Sequence, residues 1–181
     1  VGNTTNIKHY IGEMYFFRAF MYFERLKSLG DFPIITKTYP NEREALIEIS
    51  KRAPRNEVAR FILSDLDKAI APSGGKNRLS KDCAILLKSR VALYEGSWLK
   101  NFKGTAFVPN GPGWPGANKD YNANYSFKSG SIEKESEFFF DEAIKAAQII
   151  AEKYNILTAN TGVFPQTSSE PENPYFSMFC D

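Results

Sequence analysis

The stretch from His9 to Leu29 decides most of what this chain can become. On a helix, Tyr10, Ile11, Met14, Tyr15, Phe16, Phe17, Phe20, Met21, Tyr22, Phe23, Leu26 and Leu29 leave almost no polar side. A helix apolar nearly all round must be buried against several neighbours. Gly30 then supplies a left-handed stop, and Pro33 prevents the helix from resuming.

Three further segments carry the helical period. A second helix begins at Pro54, whose missing amide costs nothing at the first helical position. Val58, Phe61, Ile62, Leu66, Ala69 and Ile70 form its stripe, and Pro72, Gly74 and Gly75 end it. A third opens at Ser80, a good cap, with Cys83, Ala84, Leu87, Val91, Tyr94 and Trp98 as its buried face. Cys83 therefore reads as a small core residue. A fourth spans Glu137 to Tyr154, with Phe140, Ala143, Ile144, Ala147, Ile150 and Ala151 inward. Residues 31–52 read as extended and turn-rich, and Phe32 to Thr36 is the one short strand candidate. No set of alternating segments can close a sheet. The expected class is mainly α, with helix pairs that resemble tetratricopeptide units joined by long irregular loops. Residues 1–181 read as one partial domain, with 103–130 as a loop insertion.

Composition removes several functions. The 23 Lys and Arg against 21 Asp and Glu give a charge of +2, without the basic excess of a nucleic-acid binder. The densest basic stretch, Lys51-Arg52-Ala53-Pro54-Arg55, reads as a solvated helix start. One histidine and two cysteines cannot build a usual zinc site, and no cofactor or metal is implied. No run approaches the ~18 apolar residues of a membrane-spanning helix. Ser73-Gly74-Gly75-Lys76 lacks the spacing of a phosphate-binding loop. Asp65 and Asp67 point to different sides of a helix, and Glu133 and Glu137 sit where helix starts collect acids, so no carboxylate pair suits glycoside hydrolysis.

The loop 103–130 holds Phe107, Trp114, Tyr121, Tyr125 and Phe127 among Gly, Pro and Asn. Loops of that length are uncommon unless they bind something or are mobile, and the plainer reading is that these aromatics pin the loop onto the helices. A flat ring beside amides and hydroxyls suits sugar recognition, because a pyranose stacks on the ring while its hydroxyls find polar partners. The candidate ligand residues are Trp114, Tyr121 and Tyr125, with Tyr39 added as the loop aromatic after the Gly30 turn.

Four ordered blocks then point to one family. Glu13-Met14-Tyr15-Phe16-Phe17-Arg18-Ala19-Phe20 with Leu29-Gly30-Asp31-Phe32-Pro33 is followed by Arg55-Asn56-Glu57-Val58 leading into Ile62-Leu63-Ser64-Asp65. Next come Arg78-Leu79-Ser80-Lys81 leading into Ala84 to Tyr94, and Ala143 to Leu157. Together they resemble SusD/RagB-like proteins. The resemblance implies a non-catalytic surface lipoprotein of the outer membrane that captures a glycan. It would pass that glycan to a SusC-like TonB-dependent transporter, held by an N-terminal lipid anchor absent from this chain. The longer members of the family imply that this chain is a part of something larger. Arg18, Asp31, Arg78 and Arg90 are expected to be scaffold, as buried ion pairs or caps, with Asp31 or Asp65 as the partner of a buried arginine. A peptide-binding member of the same family and a helical interaction scaffold are the alternatives.

Overall fold

A computed structural model describes residues 4–69 and 79–153 of this chain. Five helices carry them: α1 (Thr4–Leu29), α2 (Arg43–Ile49), α3 (Arg55–Ala69), α4 (Lys81–Asn101) and α5 (Ile132–Lys153). Among the described residues no strand forms, and the one bridge joins Phe32 to Ala53 in antiparallel sense. The mainly α expectation holds. The predicted strand over Phe32 to Thr36 shrinks to that bridge, and the supposedly extended 31–52 segment contains α2.

The helices associate as two pairs, α1 with α3 and α4 with α5, joined where α3 lies on α4. Their shared core is built from Leu26, Val58, Ile62, Leu66, Val91, Leu99 and Phe139, all essentially inaccessible to solvent. Burying each such side chain stabilises the fold by about 1.5–3 kcal/mol. Gly96 sits where α4 meets α5. A Cβ there would stand 3.1 Å from the Phe140 ring, and the Ser136 hydroxyl donates to the Gly96 carbonyl at 2.8 Å. A bare backbone is what lets these two helices approach.

α1 departs from its prediction. Ala19, Phe23 and Leu26 face α3 and the core, but Tyr10, Ile11, Met14, Phe17, Phe20 and Met21 are exposed. Among the described residues the helix packs chiefly on α3 and only marginally on α4, so one stripe is covered there where several were expected. Gly30 ends it as anticipated, with φ +70° and its amide bonded to the Leu26 carbonyl.

Three other stripes need adjustment. In α3 the expected Val58, Ile62, Leu66 and Ala69 are buried, joined by Ala59 and Leu63. At the start of α4 the Ser80 hydroxyl accepts the Cys83 amide at 3.3 Å, as a cap should. Cys83 itself is exposed and is not a core residue. A capping turn projects its first side chains past the neighbouring helices, and burial begins with Ala84 and Ile85. α5 starts at Ile132, five residues before the expected Glu137. Its buried line runs through Glu135, Ser136, Phe139, Ala143 and Ala146, leaving Ile144 at 61% exposure. Two polar residues belong to that line, so a stripe counted from apolar residues alone is rotated around the helix. Ile70, Pro72, the Gly74-Gly75 pair, Arg78, Tyr154 to Leu157 and Cys180 lie outside the described residues.

Candidate functional site

The segment between α4 and α5 has little regular structure, yet its backbone is organised. Amides repeatedly bond the carbonyl three residues back: Gly111 to Val108, Trp114 to Gly111, Ala117 to Trp114, Asn122 to Lys119 and Tyr125 to Asn122. Gly, Pro and Asn permit this run of consecutive turns, which includes one 3₁₀ turn at Asp120–Asn122. Gly116 is essential to it, because a Cβ there would lie 2.2 Å from the Trp114 ring.

Side chains pin these turns to the helices through two polar clusters. In the first, Asp31 accepts the Arg55 amide at 2.9 Å and the Trp114 indole N–H at 2.7 Å. Arg55, 3% exposed, forks onto Glu95 at 2.8–3.2 Å and stacks 4.1 Å from the centre of the Trp98 ring. Burial pushes the Glu95 and Asp31 carboxyls above their usual range, while Arg55 pulls both back.

In the second cluster, Glu135 of α5 accepts from Arg60 at 2.6 and 2.9 Å, from Asn56 at 2.9 Å and from the Ser129 amide at 3.1 Å. The Tyr125 hydroxyl donates to Asn56 at 2.7 Å. Burial opposes ionisation of Glu135, but its hydrogen bonds prevail and hold its pKa at about 2. Burial raises the Tyr125 phenol, so it remains a donor. Among the described residues every buried side-chain polar atom has a hydrogen-bond partner.

This framework leaves an open cleft of about 720 Å³ between the C-terminal end of α1, the residues before α3, and the loop. Trp98 and Trp114 form its floor, and Phe107 and Tyr121 stand on its rim at 62% and 43% exposure. Lys27, Arg52 and Lys119 also line it. Past Tyr121 a second, shallower depression of about 710 Å³ continues along Ser50, Lys51, Leu46 and Ile47. Tyr121 therefore stands at the junction of two concave surfaces, with the Lys51 ammonium 6.0 Å from its ring centre. The volume falls within the range of small-molecule sites, and the mixed apolar and polar lining suits a ligand that is itself amphipathic.

Two of the four predicted ligand residues, Trp114 and Tyr121, line this cleft, and a third, Tyr125, packs beside Trp114. Tyr121 is open to a ligand. Trp114 is 3% exposed and Tyr125 is half-buried, their rings 5.5 Å apart, and both hold the loop on the helices. Tyr39 does not line the cleft and lies beside the Lys37 ammonium at 5.2 Å. Sequence reasoning missed Trp98, Arg52 and Lys119. Arg52 stood within the basic stretch set aside as a solvated helix start, and Lys119 is two residues from Tyr121.

The scaffold residues also separate. Arg18 is partly exposed and forks onto buried Asp65 at 2.6 and 2.8 Å, which resolves the choice of partner. Asp31 serves as a cap and an indole acceptor. Arg90 is exposed and forms no buried pair among the described residues, because it projects from α4 away from the core. Among the described residues, no group of three His, Cys, Asp or Glu could hold a metal ion. No helix there is long and apolar enough to cross a membrane. No protein-family model, curated protein or solved structure matches the chain.

Proposed function

We propose that this chain is the helical part of a SusD/RagB-like surface protein that captures an oligosaccharide and performs no chemistry on it. The observation that carries this reading is the cleft beside Asp31, where exposed Phe107 and Tyr121 stand over a floor of partly and fully buried tryptophans. Stacking on these rings and hydrogen bonding along the rim would hold a sugar with modest affinity, since polar desolvation offsets most of each contact. The resemblance further supports tetratricopeptide-like helix pairs as the scaffold, a location on the outer-membrane surface, and a SusC-like TonB-dependent transporter as the receiving partner. The blocks that carry the resemblance include Gly30-Asp31 and Arg55-Asn56, the residues that anchor the loop.

The test is retention of the full chain in gels impregnated with a panel of oligosaccharides and polysaccharides. Retention by at least one glycan, lost when Phe107 and Tyr121 are both replaced by alanine with the melting temperature unchanged, is the expected result. Retention that survives the double replacement would remove the cleft from consideration. A chain that no glycan retains, and that holds a peptide pool instead, would transfer the same cleft to a peptide ligand. The exposed stripe of α1 favours the scaffold reading in one respect, because it offers an apolar face independent of the cleft.

A further inference from the structure

The charges around the cleft are unequal in kind. Its one acidic lining residue, Asp31, already has both carboxylate oxygens engaged, one by the Arg55 amide and the other by the Trp114 indole. Arg55 is neutralised by Glu95 beneath the floor. Lys27 is bonded to Glu24 at 2.7 Å and lies over the Phe23 ring. Arg52 and Lys119 are both exposed and neither makes an ion pair among the described residues, although Arg52 lies near enough to Asp31 to attract its carboxylate. They reach the same concave surface from opposite sides, Arg52 from the segment before α3 and Lys119 from the loop. Asp31 keeps its charge, because both its donors are neutral, but the lining cations outnumber it, and a recess with such an excess concentrates its field toward whatever enters.

Resting on the glycan reading above, we propose that the cleft selects an acidic oligosaccharide, whose carboxylate or sulfate groups engage Arg52 and Lys119 while its rings stack on Phe107 and Tyr121. The two kinds of group are adjacent, as such a ligand requires. Lys119 and Tyr121 flank a single residue, Asp120 of the 3₁₀ turn, and Ser50 and Arg52 line the same cleft. Guanidinium binds planar carboxylate or sulfate through paired donors, and the ammonium acts as a mobile point charge. A neutral sugar would make the same stacking contacts and leave both cations to water. A chain of acidic residues alone would satisfy the cations but has no ring face to lay on the two rim aromatics.

The experiment titrates the full chain with matched pairs: an oligogalacturonate against its methyl-esterified form, and a sulfated oligosaccharide against its desulfated form. Polyglutamate is the third probe. Each partner keeps its rings, so only charge changes within a pair. The expected result is tighter binding of the acidic member of at least one pair, by about tenfold. Each of Arg52→Gln and Lys119→Gln is expected to remove about two- to fivefold, the range of exposed ion pairs, and the double variant to erase the preference. Added salt is expected to weaken the acidic ligand and leave the neutral one unchanged.

Equal binding within both pairs would overturn selection by charge and leave glycan capture standing. Binding of no saccharide would overturn both readings. Polyglutamate held as tightly as the acidic saccharides would overturn the assignment to sugars. A preference that persists in a folded double variant would overturn the two cations as its source.

Discussion

α1 and the loop between α4 and α5 have nearly opposite relations between regularity and packing. α1 is an uninterrupted helix of 26 residues with only one side covered, and six of its large apolar side chains face outward along Tyr10 to Met21. The loop has almost no regular structure, yet Trp114 and Val108 are essentially buried and Tyr125 and Ser129 are bonded into the polar clusters. A helix satisfies its backbone hydrogen bonds within itself whatever surrounds it. Irregular chain is held in one shape by side chains that find partners elsewhere, here Asp31, Asn56 and Glu135. The cleft lies against the loop, so its shape depends on those partners.

The sharpest way to break this contrast is to remove Arg55. In Arg55→Met, Glu95 is left buried without its cation. The expected loss is about 3–5 kcal/mol in urea denaturation. A loss below about 1 kcal/mol would mean that the first cluster is not what holds loop to helices.

Acid should act next most strongly, through Glu135. Its folded pKa of about 2 lies below the ordinary 4.5, so its stabilisation is complete above about pH 4.5 and is lost as pH falls toward 2. The expected decline is about 2 kcal/mol after allowance for solvent at the edge of the site. Asp31 and Glu95 act in the opposite sense, since a raised pKa adds stability as the pH falls through it. Thermal melting of the wild type and Glu135→Gln across that window isolates the Glu135 contribution, and the variant should lack that part of the decline.

Tyr125→Phe removes only the donor to buried Asn56. It is expected to cost about 1–2 kcal/mol, the penalty of an unsatisfied acceptor. Near-neutral behaviour would show that the loop is held by its aromatic contacts alone. The smallest effect is expected on α1, where Met14→Gln should change stability by less than about 0.5 kcal/mol because Met14 is 69% exposed. A loss of several kcal/mol would show that the outer stripe is covered in solution, and the contrast would fail.

Much of the fold was legible in the residues. Four of the five helices, the Gly30 stop, the Ser80 cap and most of the α3 stripe follow from local rules of spacing and backbone conformation. The errors share a cause. The buried line of α5 passes through Glu135 and Ser136, and α4 buries Glu95, so a rule that counts apolar residues rotates the first stripe and misses part of the second. Cys83 and the outer side of α1 were assigned to the core because composition reports what a side chain prefers and not what lies opposite it. α2 was missed because a helix of 7 residues with no buried side chain has no stripe to detect.

For the site, the sequence by itself determined that a long aromatic loop rich in turn-forming residues exists, and that Tyr121 belongs to it. It also placed Gly30-Asp31 ahead of Arg55-Asn56, the order on which the proposed family rests. Only the tertiary structure decided that Trp114 and Tyr125 brace the loop while Tyr121 and Phe107 stand exposed at an open cleft, and that Arg52 and Lys119 line that same cleft. The physical reason is range. Helix caps, stops and stripes are set by neighbours within a turn or two. Whether an aromatic is buried, or a cation already has its carboxylate, depends on residues brought from far along the chain, such as Asp31 beneath Trp114 and Glu95 beneath Arg55.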